Sequence, residues 1–384
     1  MVTAGLRCRG CGDTATRRVV DLGSQPASDD FPRLDAPEPD ARWPLELWWC
    51  PTCALVQLGP IEALLEEPVR AVESQSSRQH ARRVAAALLA DHPHLAGASV
   101  REFASHHGGS WIPALAEFGC RPVTTAEPAE LVVDAHALAH EQDVHGALAE
   151  RAAAIAPGGM LALEHHHLLP LVQEGQFDTV RHGHWSYLSL TAIQRLAPEH
   201  DLEVVQAVPE PVFGGSLRVV LARRSAGLPV DPSVPRLVAE EQAAGLGDGT
   251  GLETFGQRAR ESARALRTFL IEQRASGRRV LAYGAPSKAA VLLGLAEVGR
   301  DLIEFTVDAA PLKHGLAIPG RRVPIRPVAD LVAARPDVVV VLTWDIAEEV
   351  VAQLESDGGW GAEYVLPLPL PHPFAQHAAV AAAT

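Results

Sequence analysis

Lysine is nearly absent. Lys288 and Lys313 are the only two in 384 residues, and the formal net charge is −14. Binding nucleic acid requires clustered basic side chains to neutralise phosphate, so nucleic acid is excluded as a main partner. No apolar run is long enough to cross a bilayer, which removes the membrane as a partner. Met1 to Asp13 lacks the hydrophobic stretch of a secretory signal, so a cytoplasmic protein is expected. There is no Walker loop, no G-x-G-x-x-G and no internal repeat beyond a doubled α/β theme. Cysteine is sparse, at five, and a reducing compartment argues against disulfides.

The few cysteines are informative by position. Cys8-x-x-Cys11 and Cys50-x-x-Cys53 form two knuckles, each offering two thiolates to one ion. That pattern predicts a structural, tetrahedral Zn²⁺. Cys120 is left over and reads as a buried small hydrophobe.

The pattern of elements predicts an α/β chain. Residues 1–68 read as a zinc-ribbon-like module and 69–224 as a Rossmann-like domain. Its strands begin near Ser99, at Glu130–Val133 and at Met160–Leu163, the last after an Ala156–Gly159 breaker. Leu202–Val208 and Ser216–Ala222 read as a closing antiparallel pair. The Pro- and Gly-rich stretch 225–251 reads as a linker opening a third domain, 225–384, which is again Rossmann-like. There the Gly284–Lys288 turn joins strand Arg279–Tyr283 to a helix, with further strands at Phe305–Asp308 and Asp337–Leu342.

Two groups among the 17 histidines stand out. Glu164, His165, His166 and His167 fall at a predicted strand end, the edge where open α/β sheets bind ligands. His182 and His184 follow, with Trp185, Ser186 and Tyr187. Imidazoles that titrate near neutrality serve as acid–base groups or metal ligands. His165/His167 and His182/His184 are each spaced i, i+2, so extended backbone would turn each pair to one side. Facing each other they would hold a second divalent metal, Zn²⁺, Fe²⁺ or Mn²⁺; the alternative is partly exposed or substrate-facing histidines. In the third domain, the turn's backbone N–H groups with Lys288 would receive an anion, and Asp308 would sit where a ribose-binding carboxylate belongs. A tight turn with a helix cap is the competing reading.

Taken in order, these stretches resemble the deoxysugar C-methyltransferases, which methylate C-3 of nucleotide-linked ketosugars with S-adenosylmethionine (SAM). The cysteine module followed by Leu55-Val56-Gln57-Leu58 looks like the family's zinc domain. Gln176-Phe177-Asp178-Thr179 and Tyr187-Leu188-Ser189-Leu190 look like the flanks of its catalytic loop, and Gly214-Gly215-Ser216-Leu217-Arg218 like another signature. Tyr283-Gly284-Ala285, Ser287, Lys288, Asp308 and Lys313-His314-Gly315 resemble its nucleotide-sugar domain.

The resemblance implies His184 as the base that removes the proton α to the ketone, and His140 as a second active-site imidazole. Arg181 and His182 complete a loop that reads Arg181-His182-Gly183-His184 where the family has Y-H-E-H; Arg181 or His140 would stabilise the enolate. For SAM it implies Glu102, Ser105, Gly108 and Glu127. The family's E-x-G-S-N-D-G reads Glu102-Phe103-Ala104-Ser105-His106-His107-Gly108 here, and a Cβ at Ala104 obstructs close approach to a cofactor. The chain between Pro128 and Leu131 is also short, so the wall around the adenine is expected to be missing. C-methylation of a nucleotide-linked ketosugar is the expected activity. The competing expectation is a SAM-independent isomerase, lyase or cyclase; a binding protein without turnover ranks last.

Overall fold

A computed structural model describes residues 6–37, 39–61, 75–103, 110–124 and 127–375. The chain divides into two compact units. One comprises 1–23, 44–173 and 180–256; the other comprises 24–43, 174–179 and 257–384.

A small sheet carries the cysteine knuckles. Strands β1 (Arg17–Pro26), β2 (Arg42–Trp49) and β3 (Val56–Leu58) lie in order, and a two-residue strand, Ser186–Tyr187, adds to β3. Val56 pairs with Tyr187 and Gln57 with Ser186.

The larger sheet of the first unit contains β4 (Ser99–Phe103), β5 (Arg121–Pro122), β6 (Ala129–Ala135) and β7 (Ile155–His166). After Ser186–Tyr187 (β8) come β9 (Leu202–Glu210) and β10 (Ser216–Arg223). The order is β5-β4-β6-β7-β10-β9, with β5, β4, β6 and β7 parallel and the β9/β10 pair antiparallel, as expected. Alternating side chains feed two cores. Val132, Leu161, Leu163, Val219 and Leu221 pack on one side with Cys8, Cys50 and Leu55. Leu131, Val133, Met160, Ala162 and Val220 pack on the other against Val84 and Leu88 of the helix Gln75–Asp91.

Two sequence expectations need correction. The Ala156–Gly159 breaker does not precede the strand; β7 runs through it, with the register jumping from Ala129↔Ile155 to Leu131↔Met160. Gly159 is needed in that bulge because a Cβ would lie 2.7 Å from the Glu130 carbonyl oxygen. The stretch read as a linker contains the helix Ser233–Ala243. Pro232 precedes it and Pro235 falls in the first turn, where helices tolerate proline, and Val234 and Leu237 are buried.

Glu241 of that helix is wholly buried. It accepts from His167 Nε2 and Leu190 N at 2.7 Å, and from Thr191 N at 2.7 Å and Thr191 Oγ1 at 2.6 Å. Burial pushes its carboxyl up, but His167 and Thr191 outweigh that and hold it low. Glu241→Ala, by orphaning these buried donors, should lower unfolding free energy by about 3–5 kcal/mol in urea titrations. A change below about 1 kcal/mol would contradict this reading.

The second unit has β11 (Val280–Tyr283), β12 (Thr306–Val307), β13 (Ile325–Arg326), β14 (Val338–Val341), β15 (Glu363–Leu366) and β16 (His372–Pro373). Their order is β13-β12-β11-β14-β15-β16, with only β16 antiparallel. The chain builds outward from β11 and then returns to its other side at β14. The carboxyl ends of β11 and β14 therefore form a switch point, where such sheets bind ligands.

Candidate functional site

The four knuckle cysteines converge. Cys8 Sγ lies 3.5 Å from Cys53 Sγ, Cys11 Sγ lies 3.6 Å from Cys50 Sγ, and all four sulfurs fall within 4.8 Å of one another. A Zn²⁺ tetrahedron with bonds of about 2.3 Å puts its sulfurs about 3.8 Å apart, so the donor set fits. None is in a disulfide. The crowding pushes the Cys8 thiol up to about 12, chiefly through its contact with Cys50, while Cys53 and Cys8 together hold Cys50 low. A cation at the centre relieves that conflict.

Among the described residues, this is the one group close enough to hold an ion. The expected second metal site on His165, His167, His182 and His184 does not assemble. The pleat of β7 explains why: the His184 ring lies beside that of His166, and the preceding strand residue, His165, points the opposite way. His165 Nδ1 bonds the His166 carbonyl at 2.8 Å, and burial drives its imidazole down to about 3. His167 is held by Glu241. His182 Nε2 donates to the Pro44 carbonyl at 3.1 Å.

The remaining expected groups do meet. Arg181 Nη2 donates to His184 Nε2 at 3.0 Å, and the His140 ring packs edge-on against His184 with centroids 4.7 Å apart. A guanidinium has no acceptor, so His184 Nε2 is the acceptor of this bond. Local folding fixes both partners. Gly183, at φ +97°, turns the loop, and the Tyr187 hydroxyl accepts from Arg181 N at 3.0 Å. Trp185 N bonds the Ala139 carbonyl at 2.7 Å, bringing the turn Leu138–His140 alongside. That turn is held by Asp134, which accepts from Ala137 N at 2.8 Å and from buried Arg151 at 2.7 Å.

Two further residues join this cluster that sequence reading did not assign to it. His80 and His136 both bond the buried Glu164 carboxylate, at 2.8 and 3.0 Å. Burial pushes Glu164 up, yet these two imidazoles outweigh it and hold the carboxyl at about 2. The His136 ring lies 5.0 Å from His166 and 5.1 Å from Phe213, and His166 lies 5.8 Å from His184. The available signal was placement: His136 directly follows the last residue of β6, at the ligand-binding edge.

The groups expected to hold SAM divide differently. Glu102, at the end of β4, accepts from Trp111 N at 2.6 Å and from Ser110 Oγ. Ser105 and Gly108 lie outside the described residues. Glu127 is exposed, on a connection of residues 123–128 between β5 and β6. No helix or strand lies among the described residues of that connection.

In the second unit, the expected substrate residues gather at the ends of β11, β12 and β14, but several already have protein partners. Ala285 N donates to Asp308 at 2.8 Å, Lys313 Nζ to the Ala285 carbonyl at 2.8 Å, and Ser287 Oγ to Asp29. Lys288 is paired with Asp345, and its Nζ sits 3.9 Å above the Trp344 ring. Gly284, at φ +96°, lets the turn pass Thr343, whose Cγ2 would be 2.7 Å from a Cβ. Tyr283 is buried at the strand end.

Trp344 Nε1 donates to Asp178 Oδ2 at 2.8 Å, and Asp178 Oδ1 is buried with no hydrogen bond among the described residues. Burial raises this carboxyl from 3.8 to about 6, against the pull of Lys288 and Trp344. A raised acid stabilises the fold while protonated, so that contribution is full below about pH 4 and lost as pH rises through about 6. The loss is on the order of 3 kcal/mol. Asp178→Asn should flatten the thermal midpoint between pH 4 and 7 and raise it at pH 7.5; an unchanged pH profile would contradict this.

Comparison with known proteins places these features in context. Residues 8–63 match the family model "Putative zinc binding domain", and residues 211–369 match "C-methyltransferase C-terminal domain". The C-methyltransferase NovU of Streptomyces niveus is 32% identical over 270 residues, 70% of this chain. The chain spans 64% of that relative's length. Among solved structures, the mitomycin 7-O-methyltransferase MmcR overlaps at TM-score 0.29 and 17% identity, covering 38% of this chain and 54% of that one. The 1,6-didemethyltoxoflavin-N1-methyltransferase of Burkholderia thailandensis overlaps at 0.30 and 16%, covering 44% and 95%. Structural overlaps this partial carry no argument about the present chain.

Proposed function

We propose that this chain, a divergent member of the C-methyltransferase family, enolises a nucleotide-linked ketosugar, with His184 as the base, as the first half of a C-methylation. The bond from Arg181 to His184 Nε2 carries the reading. It holds an unprotonated Nε2 on a buried imidazole at the carboxyl ends of β6 and β7; for catalysis the guanidinium would move from that nitrogen to the developing enolate oxygen, leaving Nε2 to take the proton. Removing a proton α to a carbonyl requires only such a base and an oxyanion partner. When bound, SAM supplies the methyl group. Of the chain's own residues, Glu127 on the 123–128 connection and Ser105 and Gly108 are the groups expected to hold it. His140 supports the base by packing against its ring.

One observation favours a second reading in which enolisation ends without a methyl donor. The connection between β5 and β6 is too short to add a wall beyond the β5 edge. Isothermal calorimetry separates the two. Methyl transfer requires binding of S-adenosylhomocysteine at millimolar ligand or below, and its absence leaves the isomerase, lyase or cyclase reading.

A further inference from the structure

We infer that Arg9, in the first cysteine knuckle, is a positioning residue for the reaction: its guanidinium holds in register the two stretches of chain that carry His140 and His184. This rests on the reading of His184 as the base.

The two imidazoles come from separate stretches. His140 ends the turn Leu138–His140, and His184 lies in the loop preceding β8. Their edge-on contact, with centroids 4.7 Å apart, therefore depends on how those stretches are set against each other. The bond from Trp185 N to the Ala139 carbonyl joins them, and a single bond permits rotation about its axis.

Arg9 supplies a second attachment. Its Cζ lies 4.7 Å from the centroid of the Trp185 ring, and its Nη1 donates at 3.0 Å to the carbonyl of Gln142, two residues past His140. One side chain thus touches both stretches. Trp185 is buried, and an indole face attracts a guanidinium through the ring quadrupole. Arg9 Nε is buried with no hydrogen bond among the described residues. A buried donor without an acceptor is costly, and the indole is the compensating contact.

The main chain of Arg9 is fixed as well. Its N donates to Gln57 Oε1 at 2.7 Å, and its carbonyl accepts from His145 N at 3.1 Å. Gln57 is wholly buried in β3 and pairs with Ser186 of β8. His145 lies in the first turn of the helix Val144–Ala153, which follows the His140 turn. Arg9 is anchored to both sides by its backbone and clamps them by its side chain.

This geometry requires arginine. A planar guanidinium can stack by one face and donate from its edge at the same time, whereas a lysine ammonium is a point charge that cannot do both. Charge alone would serve another purpose, balancing the thiolate of neighbouring Cys8, and lysine would meet that need equally well.

The test compares full-length, zinc-loaded wild type, Arg9→Lys and Arg9→Met in D₂O, with a nucleoside-diphosphate-linked 4-keto-6-deoxyhexose as the probe. Proton NMR gives kcat and KM for exchange at the α-carbon. Both variants should lose about tenfold or more in kcat with KM within about threefold, since small misplacements of a catalytic group act on that scale. Bound zinc, read by plasma emission, should equal that of the wild type. Nitrogen–proton correlation spectra of the histidine rings, taken without substrate, should show the His140 and His184 resonances displaced in both variants. Arg9→Lys exchanging at the wild-type rate would overturn the inference in favour of charge balance at the knuckle. Activity lost only in step with zinc, or ring resonances unmoved in Arg9→Met, would overturn it too. If the wild type does not exchange at all, the base reading fails by itself, and the ring spectra alone decide whether Arg9 sets the His140–His184 contact.

Discussion

Replacing His184 with alanine will lower α-carbon deuterium exchange of a nucleotide-linked ketosugar by about 10³-fold, within the range by which positioned bases accelerate proton transfer. The size follows from the site. His184 is 5% exposed and receives the Arg181 guanidinium on Nε2, so its loss also removes one acceptor from a buried cation. His182→Ala, two residues away, should reduce exchange far less, because the His182 ring donates to the Pro44 carbonyl. Binding of the ketosugar should change little in either variant. Exchange by His184→Ala within tenfold of wild type would remove the base from the mechanism.

Removing the zinc will have an equally large effect on stability. Structural Zn²⁺ in small modules contributes about 10–16 kcal/mol of apparent binding free energy, and here Cys8, Cys50, Cys53 and Leu55 sit in the same apolar core as β6 and β7. Cys8→Ser, or prolonged chelation of the wild type, should take bound metal from one ion per chain to none and abolish the single cooperative melt of the first unit. Plasma emission spectrometry on purified protein checks the count. A stoichiometric ion remaining in Cys8→Ser would mean a second site, contrary to the separation of the four histidines.

Much of this was legible before any coordinates, and the reasons differ by element. The two C-x-x-C pairs were legible because four thiolates at that spacing have one common use. The β9/β10 pair followed from period-two apolar runs. Helix Ser233–Ala243 was not legible, because its prolines and the glycines beyond it carry the composition of a linker, and only burial of Val234 and Leu237 distinguishes them. At the site, period-two reasoning expected His165 and His167 on one side. It had no information on which side faced the catalytic loop, which is decided by long-range packing. His136 and His80 were invisible for the same reason: each is an isolated histidine in sequence, made a partner of Glu164 only by the fold.

The β3–β8 pairing joins two parts of the first unit that the chemistry keeps apart. Val56 and Gln57, three and four residues beyond Cys53, hydrogen-bond as a strand to Tyr187 and Ser186, and Leu58 N meets the Trp185 carbonyl at 3.0 Å. The backbone that aims His184 is thus sewn to the hem of the metal-binding knuckle. Under zinc starvation, slackening at that hem would disarm the imidazole well before any substrate arrived, making turnover a reporter of metal supply.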